Sequence, residues 1–174
     1  NLTEVCIRQG DTMDAICRKV RIASILGTVQ ASFTYFPYLR PIWKETTEKE
    51  ALLGVSMTGI MDNALTNGKH PNLAPRLQMF RKIAIDTNEF YAKRLGINKA
   101  TAVTAVKPSG TVSQLCDTAS GIHSRHNDYF IRMVRGDKKD PLTQFMIDQG
   151  IPSEDCVKDP DKTTVFSFPM KSPN

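Results

Sequence analysis

The spacing of apolar residues along the chain predicts alternating strands and helices. Apolar and β-branched residues predict a strand over 1–7. Apolar positions at helical spacing then predict a helix that is capped at Asp11-Thr12 and runs toward Gly27. A helix end or turn is predicted over 28–38. Further strands are predicted over 52–62, 101–106, 129–135 and 163–168, and further helices over 41–50, from Pro75 to near Gly96 and from Asp140-Pro141 to Gly150. This alternation predicts an α/β architecture with a largely parallel sheet.

The composition is that of a globular protein. The 174 residues are 40% hydrophobic and 24% charged, which is enough for one domain with a core. The net charge of +5 suits an anionic ligand, but Lys and Arg are scattered, which favours a solvated surface over a nucleic-acid patch. No apolar run approaches the roughly 20 residues of a membrane span, so a soluble protein without a membrane partner is predicted. The chain opens on a strand without Met, which predicts a piece of a longer polypeptide.

The cysteines and histidines predict neither a metal site nor a disulfide framework. Cys6, Cys17, Cys116 and Cys156 are widely spaced, so we interpret each as an incidental or buried thiol in a reducing cytoplasm. His123 and His126 have no third ligand at a suitable spacing, so a hydrogen bond to a neighbouring loop is favoured over metal binding.

The segment Ala105–Leu115 has the pattern of a strand, a tight turn and a helix start. The predicted site is the turn itself, which comprises Pro108, Ser109, Gly110, Thr111, Val112 and Ser113. Proline fixes φ, serine can cap the helix, and glycine lets the backbone approach a ligand, so the amides of residues 110–112 could bind a phosphate. An ordinary capped turn has the same residue types, and the pattern leaves both interpretations open. The spacing of a Walker loop is absent.

Three arginines, Arg125, Arg132 and Arg135, are candidates for contacts with a polyphosphate, although alternating arginines on a strand are more often surface ion pairs. The chain contains no nucleophile elbow and no Gly-x-Gly-x-x-Gly. The residues alone therefore predict an α/β protein with a phosphate site.

Several stretches, in this order along nearly the whole chain, resemble the large catalytic chain of ribonucleotide reductases, most closely the adenosylcobalamin-dependent, triphosphate-using class. The resembling stretches are Asn1–Val5, Lys19–Ala23, Phe36–Arg40, Leu52–Gly59, Lys107–Gln114, Ser120–His123 and Lys138–Pro141. Together they are more specific than any one motif.

The resemblance implies the fold and the chemistry. It implies that 1–174 is a part, without internal boundary, of one catalytic barrel domain, namely the second half of the ten-stranded α/β barrel of the ribonucleotide reductase and glycyl-radical type. It implies an oxidoreductase of deoxyribonucleotide biosynthesis, which serves DNA replication by thiyl-radical reduction of ribonucleoside triphosphates. The family's Pro-Ser/Thr-x-Thr-x-Ser turn, which holds substrate phosphates, matches Pro108 to Ser113.

The resemblance also implies what this chain lacks. The radical cysteine and its glutamate belong to an upstream Asn-x-Cys-x-Glu motif, and one redox cysteine normally stands directly before the residue matching Asn1. None of the four cysteines matches, so no catalytic residue is assigned in this chain. The dNTP effector site and the contacts with a thioredoxin-type reductant lie outside it. The resemblance implies adenosylcobalamin as the radical source, because Leu2–Val5 and Lys138–Pro141 are most similar to the cobalamin-dependent class. The adjacent tyrosines that relay the radical in iron-dependent relatives do not occur in this sequence.

Two alternatives remain, a non-catalytic nucleotide- or phosphate-binding α/β module and, with less support, a basic RNA-binding fragment without interleaved aromatic residues. If the chain is half a barrel, we expect it to be inactive alone and to expose sheet edges together with an apolar inner face around Val55 and Met57.

Overall fold

The computed structural model describes residues 1–173. Five helices and five strands are present in this range, with a short 3-10 helix at Ile60–Asp62. In chain order they are β1 Leu2–Cys6, α1 Met13–Ala31, α2 Pro41–Glu50, β2 Gly54–Thr58, α3 Leu73–Leu95, α4 Thr111–Leu115, β3 Tyr129–Asp137, α5 Pro141–Asp148, β4 Ser153–Asp155 and β5 Thr163–Lys171. The chain divides into two compact units, 1–124 and 125–174.

The first unit is built on a parallel pair of strands covered by helices. Strands β1 and β2 pair in register, with Thr3 opposite Val55 and Val5 opposite Met57. Helix α1 contacts both strands and packs on α3. Alternate strand residues and the inward stripes of these two helices form one apolar core. Its buried members include Val5, Ile7, Ile16, Val20, Leu53, Val55, Phe80 and Ala84.

Helix α1 begins at the predicted cap and ends later than predicted. The Thr12 hydroxyl accepts a hydrogen bond from Ala15 N at 3.2 Å, which satisfies one free amide of the first turn. The helix then passes through Gly27 and ends at Ala31. A Cβ atom at Gly27 would lie 3.2 Å from Leu53 Cγ. The glycine therefore serves close packing of the helix on the segment before β2 and does not stop the helix.

Two predictions about the first sheet need correction. Val55 is buried in the core with α1 and α3, so Val55 and Met57 face the helices and do not form an exposed inner face. The predicted strand over 101–106 is reduced to a single parallel bridge between Thr104 and Val55. Backbone bonds from Val55 N to Val103 O and from Ala105 N to Val55 O hold this segment beside β2.

The sheet of the second unit is antiparallel, so the prediction of a largely parallel sheet is wrong for this unit. Its strand order is β3-β5-β4, and β5 pairs antiparallel with both neighbours. Only residues 156–162 separate β4 from β5, too few for the crossover that parallel strands need. Helix α5 begins as predicted at Asp140-Pro141, where the Asp140 carboxylate accepts a hydrogen bond from Leu142 N.

The predicted α/β class is confirmed. The assignment of 1–174 to one barrel domain concerns a larger protein and stays a prediction. Within residues 1–173, none of the helices has the length and apolar character that crossing a membrane requires.

Candidate phosphate-binding turn

The predicted turn, 108–113, lies against the face of β1 and β2 that the helices leave open. Side chains alternate along a strand, so Glu4 points away from the core that holds Val5. Glu4 contacts Lys107 and Ser109, at the start of the turn. The turn thus rests on the polar face of the sheet.

Three consecutive residues of the turn present their backbone to solvent. Gly110, Thr111 and Val112 are exposed, and their N–H groups donate no hydrogen bond to any atom of residues 1–173. A Cβ atom added at Gly110 would meet nothing within 4 Å. These amides are available to an anion, and each would form a charge-assisted hydrogen bond with a phosphate oxygen.

The two serines of the turn face inward. Ser109 is 4% exposed, and its hydroxyl accepts a hydrogen bond from Ser113 N at 3.2 Å. Ser113 is fully buried, and its hydroxyl donates to the carbonyls of Ser109 and Gly110. These hydroxyls therefore shape the turn, whereas the exposed Thr111 is the residue whose side chain is open to a ligand.

The loop 116–123 fastens the turn to the end of β2. The Thr58 hydroxyl donates to Ala119 O at 3.0 Å and accepts from Gly121 N at 2.8 Å. The Ser120 hydroxyl donates to Ser109 O. His123 Nδ1 lies 3.1 Å from Ser120 O, so this histidine reaches the turn only through Ser120.

Glu4 is a residue of this site that the sequence analysis missed. Its Oε2 accepts hydrogen bonds from Lys107 Nζ at 3.1 Å and from Ser109 Oγ at 3.3 Å. The side chain is 5% exposed, and its Oε1 is buried without a hydrogen-bond partner. The available signal was an acidic residue inside an otherwise apolar strand.

The structure brings together two of the four cysteines, although 110 positions separate them. The thiols of Cys6, at the end of β1, and Cys116, after α4, are in hydrogen-bond contact. Burial, followed by the hydrogen bond to Cys116, raises the pKa of Cys6 to about 11. A thiol with a raised pKa is a poor nucleophile near neutral pH.

Cys17 lies in α1, and the remaining candidates lie in the second unit. Hydrogen bonds from the backbones of Lys158 and Asp159, and then from Arg135, lower the pKa of Cys156. Arg135 is thus engaged with this thiol, while the imidazole of His126 packs edge-on against Phe130. Contacts of the three arginines with a polyphosphate stay a prediction. In the described part of the chain, no group of three or more His, Cys, Asp or Glu could hold a metal ion.

A cavity of about 300 Å³ lies on the helix side of β2, next to the segment 104–106 that leads into the turn. Its walls are mainly apolar and come from both long helices and the 104–106 segment. They include Val20, Met57, Leu77, Phe80, Ala84 and Val106. Although Gln78 and Arg81 also line this cavity, most of its wall is apolar, so the turn with its exposed amides is the better candidate for an anion site.

Comparisons with known proteins were made by sequence and by structure. No family model matches the chain. It is 27% identical over 165 residues to the adenosylcobalamin-dependent ribonucleoside-triphosphate reductase of Lactobacillus gasseri, which is 81% of this chain and 22% of the relative. The corresponding reductase of Lactobacillus leichmannii is 28% identical over 80% of this chain and 22% of its own length, and that of Euglena gracilis is 29% identical over 76% and 18%.

The fold has a solved counterpart. A crystal structure of a B12-dependent (class II) ribonucleotide reductase aligns with a TM-score of 0.76 and 24% identity, covering 99% of this chain and 27% of that one. The chain therefore spans about a fifth of the length of the curated relatives it matches. These comparisons confirm the resemblance found in the sequence: the chain is similar, over about four fifths of its length, to the adenosylcobalamin-dependent class of ribonucleotide reductases.

Proposed function

We propose that the chain is part of the catalytic chain of an adenosylcobalamin-dependent ribonucleoside-triphosphate reductase, and that the turn 108–113 holds the substrate's phosphates. The observation that carries this proposal is the row of three exposed, unpaired amides at Gly110, Thr111 and Val112. They sit on a base fixed by Ser109 and Ser113, so the amides are oriented before a ligand arrives. The names of the similar reductases support a nucleotide substrate.

Some residues of the turn would contact the phosphates, and the others would maintain the conformation of the turn. Gly110, Thr111 and Val112 donate from the backbone, and the Thr111 hydroxyl adds a donor. Pro108 fixes the direction of the chain before the turn, while Ser109 and Ser113 maintain its shape. Helix α4 has only five residues, so binding depends on individual amides more than on the dipole of a long helix.

We also propose that the chain is the second half of a ten-stranded barrel. The parallel β1-β2 pair with helices on one face is the repeating arrangement of such barrels. On this proposal the radical cysteine, the effector site and the contacts of a thioredoxin-type reductant belong to other parts of the protein. The four free cysteines are compatible with a reducing cytoplasm.

Adenosylcobalamin, when bound, supplies the radical. The described residues do not form a site for it. Cavities of about 300 and 420 Å³ among the described residues are at the lower end of the size that holds a drug-sized molecule, and a corrinoid is several times larger. We therefore assign no cofactor ligand in this chain, whose contribution is to position the substrate.

The test replaces Gly110 by Val in the complete polypeptide that carries these residues. A side chain at Gly110 clashes with no protein atom but stands where the phosphate must approach. Loss of one or two charge-assisted hydrogen bonds should raise KM for every ribonucleotide, by roughly 10- to 150-fold for about 1.5 to 3 kcal/mol. Gly10→Val is the matched control, because Gly10 also lies in an exposed turn with open space around it. An unchanged KM in Gly110→Val would remove the turn from the substrate site.

Two further assays address the cofactor and the alternative function. Turnover of the complete polypeptide should depend on adenosylcobalamin and a dithiol reductant, and activity that required a metal-containing partner subunit instead would contradict the cofactor assignment. A non-catalytic nucleotide-binding module would still lose nucleotide affinity in Gly110→Val but would show no turnover under either condition.

A further inference from the structure

We infer that Glu4 is a positioning residue that holds the phosphate-binding turn in its binding geometry, an inference that rests on the proposed function of the turn. Glu4 lies in β1, more than 100 positions before the turn, so the contact is made by the fold and not by local sequence.

The contact clamps the turn on both sides of its proline. Glu4 Oε2 accepts from Lys107 Nζ at 3.1 Å and from Ser109 Oγ at 3.3 Å, and these two residues flank Pro108. We call these two hydrogen bonds the Glu4 clamp. The ring of Pro108 already restricts its own φ angle. Holding both neighbours of Pro108 as well leaves the backbone few alternative conformations in this part of the turn.

The Glu4 clamp continues into the residues that present the amides. The Ser109 hydroxyl, while it donates to Glu4, accepts from Ser113 N at 3.2 Å. The Ser113 hydroxyl in turn donates to the carbonyl oxygens of Ser109 and Gly110. The three exposed amides at 110–112 lie between these two serines, so their direction follows from Glu4 through two side chains.

The base of the Glu4 clamp is rigid. Val5 and Ile7, which follow Glu4 in and just after β1, are 2% and 0% exposed in the apolar core. Lys107 and Glu4 are themselves largely withdrawn from solvent, at 24% and 5% side-chain exposure. A hydrogen bond to such a base orders the turn, whereas an exposed ion pair would leave it mobile.

Folding stability alone does not explain why a carboxylate occupies position 4. Its second oxygen, Oε1, is buried without a donor, and burying a charged group with incomplete hydrogen bonding is unfavourable. An apolar residue at position 4 would continue the strand without that cost. The position therefore carries a charge at the expense of folding, which is typical of residues that position a binding site.

The test compares Glu4→Met with Glu4→Gln in the complete polypeptide. Methionine has a similar length and no strong acceptor, whereas glutamine keeps one oxygen that can accept from both Lys107 and Ser109. We expect Glu4→Met to raise KM for a ribonucleoside triphosphate about tenfold or more with kcat within about twofold, and Glu4→Gln to stay within about threefold of the unsubstituted protein. The inhibition constant of the same nucleoside without phosphates should not change in either variant.

A matched control comes from the same unit. Asp11 is also a largely buried carboxylate that accepts from a lysine, Lys19 Nζ at 2.5 Å, but it does not touch the turn. Asp11→Leu should leave KM unchanged. If Glu4→Met does not fold, Lys107→Met and Ser109→Ala each remove one arm of the Glu4 clamp, and each should raise KM.

The outcomes separate this inference from the proposed function. A raised KM in Gly110→Val with an unchanged KM in Glu4→Met would overturn the role of Glu4 alone. An unchanged KM in Gly110→Val would overturn the phosphate turn and the role of Glu4 with it. Equal effects of Glu4→Met and Asp11→Leu, or an equal shift for the unphosphorylated nucleoside, would show general destabilisation and also overturn the role of Glu4.

Discussion

At the scale of single residues, Gly59 is a position where the backbone conformation and the neighbouring atoms require glycine. It follows β2 with φ of +76°, and a Cβ atom there would lie 2.1 Å from the carbonyl oxygen of Ile7 and 3.0 Å from Thr118 Cβ. The same residue donates its N–H to Ala119 O at 2.8 Å. Strand β1, strand β2 and the loop behind the turn therefore meet at this glycine.

We predict that Gly59→Ala destabilises the first unit by about 2 to 4 kcal/mol, the sum of a left-handed conformation and a clash that the core cannot relieve. Hydrogen exchange of the β1 and β2 amides in the complete polypeptide measures this free energy of local unfolding. Gly68→Ala is the control, because Gly68 has φ of +86° with open space around it and should cost only about 1 kcal/mol. Equal losses in the two variants would contradict the steric account.

The Cys6 thiol gives a prediction for pH. Its pKa of about 11, against an ordinary value of 9.0, leaves about a hundredfold less thiolate at pH 8, and the greater nucleophilicity of a more basic thiolate offsets part of this. Cys6 should therefore react with an aromatic disulfide reagent about tenfold more slowly than in the unfolded chain. Peptide mass spectrometry after timed labelling measures the rate.

The sign of the linked stability follows from the same pKa. Folding favours the neutral thiol, so the stability contributed by Cys6 is complete below pH 9 and is lost as the pH rises through about 11. Cys6→Ala should remove that part of the pH dependence. A labelling rate for Cys6 that matches the unfolded chain across pH 7 to 10 would contradict a raised pKa.

The residues that could be predicted from sequence are those whose role is local. Gly110 and Ser109 have turn chemistry that can be recognised within six positions, and a glycine inside a predicted strand, such as Gly59, is a general signal of close backbone approach. Glu4 and the pair Cys6 and Cys116 could not be found in this way, because their partners are about a hundred positions away and only the fold brings them together.

At the scale of elements, a buried amide joins both long helices to the segment beside β2. Asn88, 2% exposed in α3, donates to Thr28 Oγ1 in α1 at 3.0 Å and accepts from Ala100 N at 2.9 Å. The Thr28 hydroxyl in turn donates to Ser24 O at 2.7 Å. Three elements therefore share one polar network inside an otherwise apolar interface.

We predict that Asn88→Ala destabilises the first unit by about 2 to 6 kcal/mol, since two buried groups lose their partners at about 1 to 3 kcal/mol each. Asn98→Ala is the control, because its amide bonds to Glu48 O at an exposed site and should cost at most about 1 kcal/mol. The same hydrogen-exchange measurement applies. An Asn88→Ala protein as stable as the control variant would show that the network contributes nothing beyond packing.

Element types were predictable from sequence, while strand direction and pairing were not. Period-two alternation correctly predicted β3 and β5, and capping residues correctly predicted the starts of α1 and α5. The antiparallel second unit was missed, although the alternating pattern of β3 is typical of a half-exposed antiparallel sheet and parallel strands are more often continuously apolar. The three-residue β4, with all its residues exposed, has no apolar pattern to detect.

At the scale of the whole molecule, the chain exposes more surface than its two units should. Two compact units of 124 and 50 residues would together expose about 10,000 Å² even without touching each other. The accessible surface is 11621 Å². The excess of about 1,600 Å² is about twice the surface of about 800 Å² that one partner contributes to a standard protein interface. Large apolar side chains contribute to it, among them Phe33, Tyr35, Tyr38, Leu39, Ile42 and Trp43, which are 51% to 97% exposed.

This surface predicts the behaviour of residues 1–174 expressed alone. The outer edges of β1 and of the 101–106 segment are unpaired among the described strands, and the apolar side chains between Phe33 and Trp43 lie in one stretch of sequence. We expect the isolated chain to self-associate at micromolar concentration and to show no turnover of ribonucleotides, because the proposed radical cysteine lies outside it. Sedimentation velocity over a concentration series measures the association. Ile42→Ser combined with Trp43→Ser should weaken the association. Leu142→Ser is the control and should have less effect, because Leu142 is equally exposed but lies in the second unit. A monomer with a single cooperative melting transition would show that the chain is complete as a folding unit and that the excess surface needs no partner.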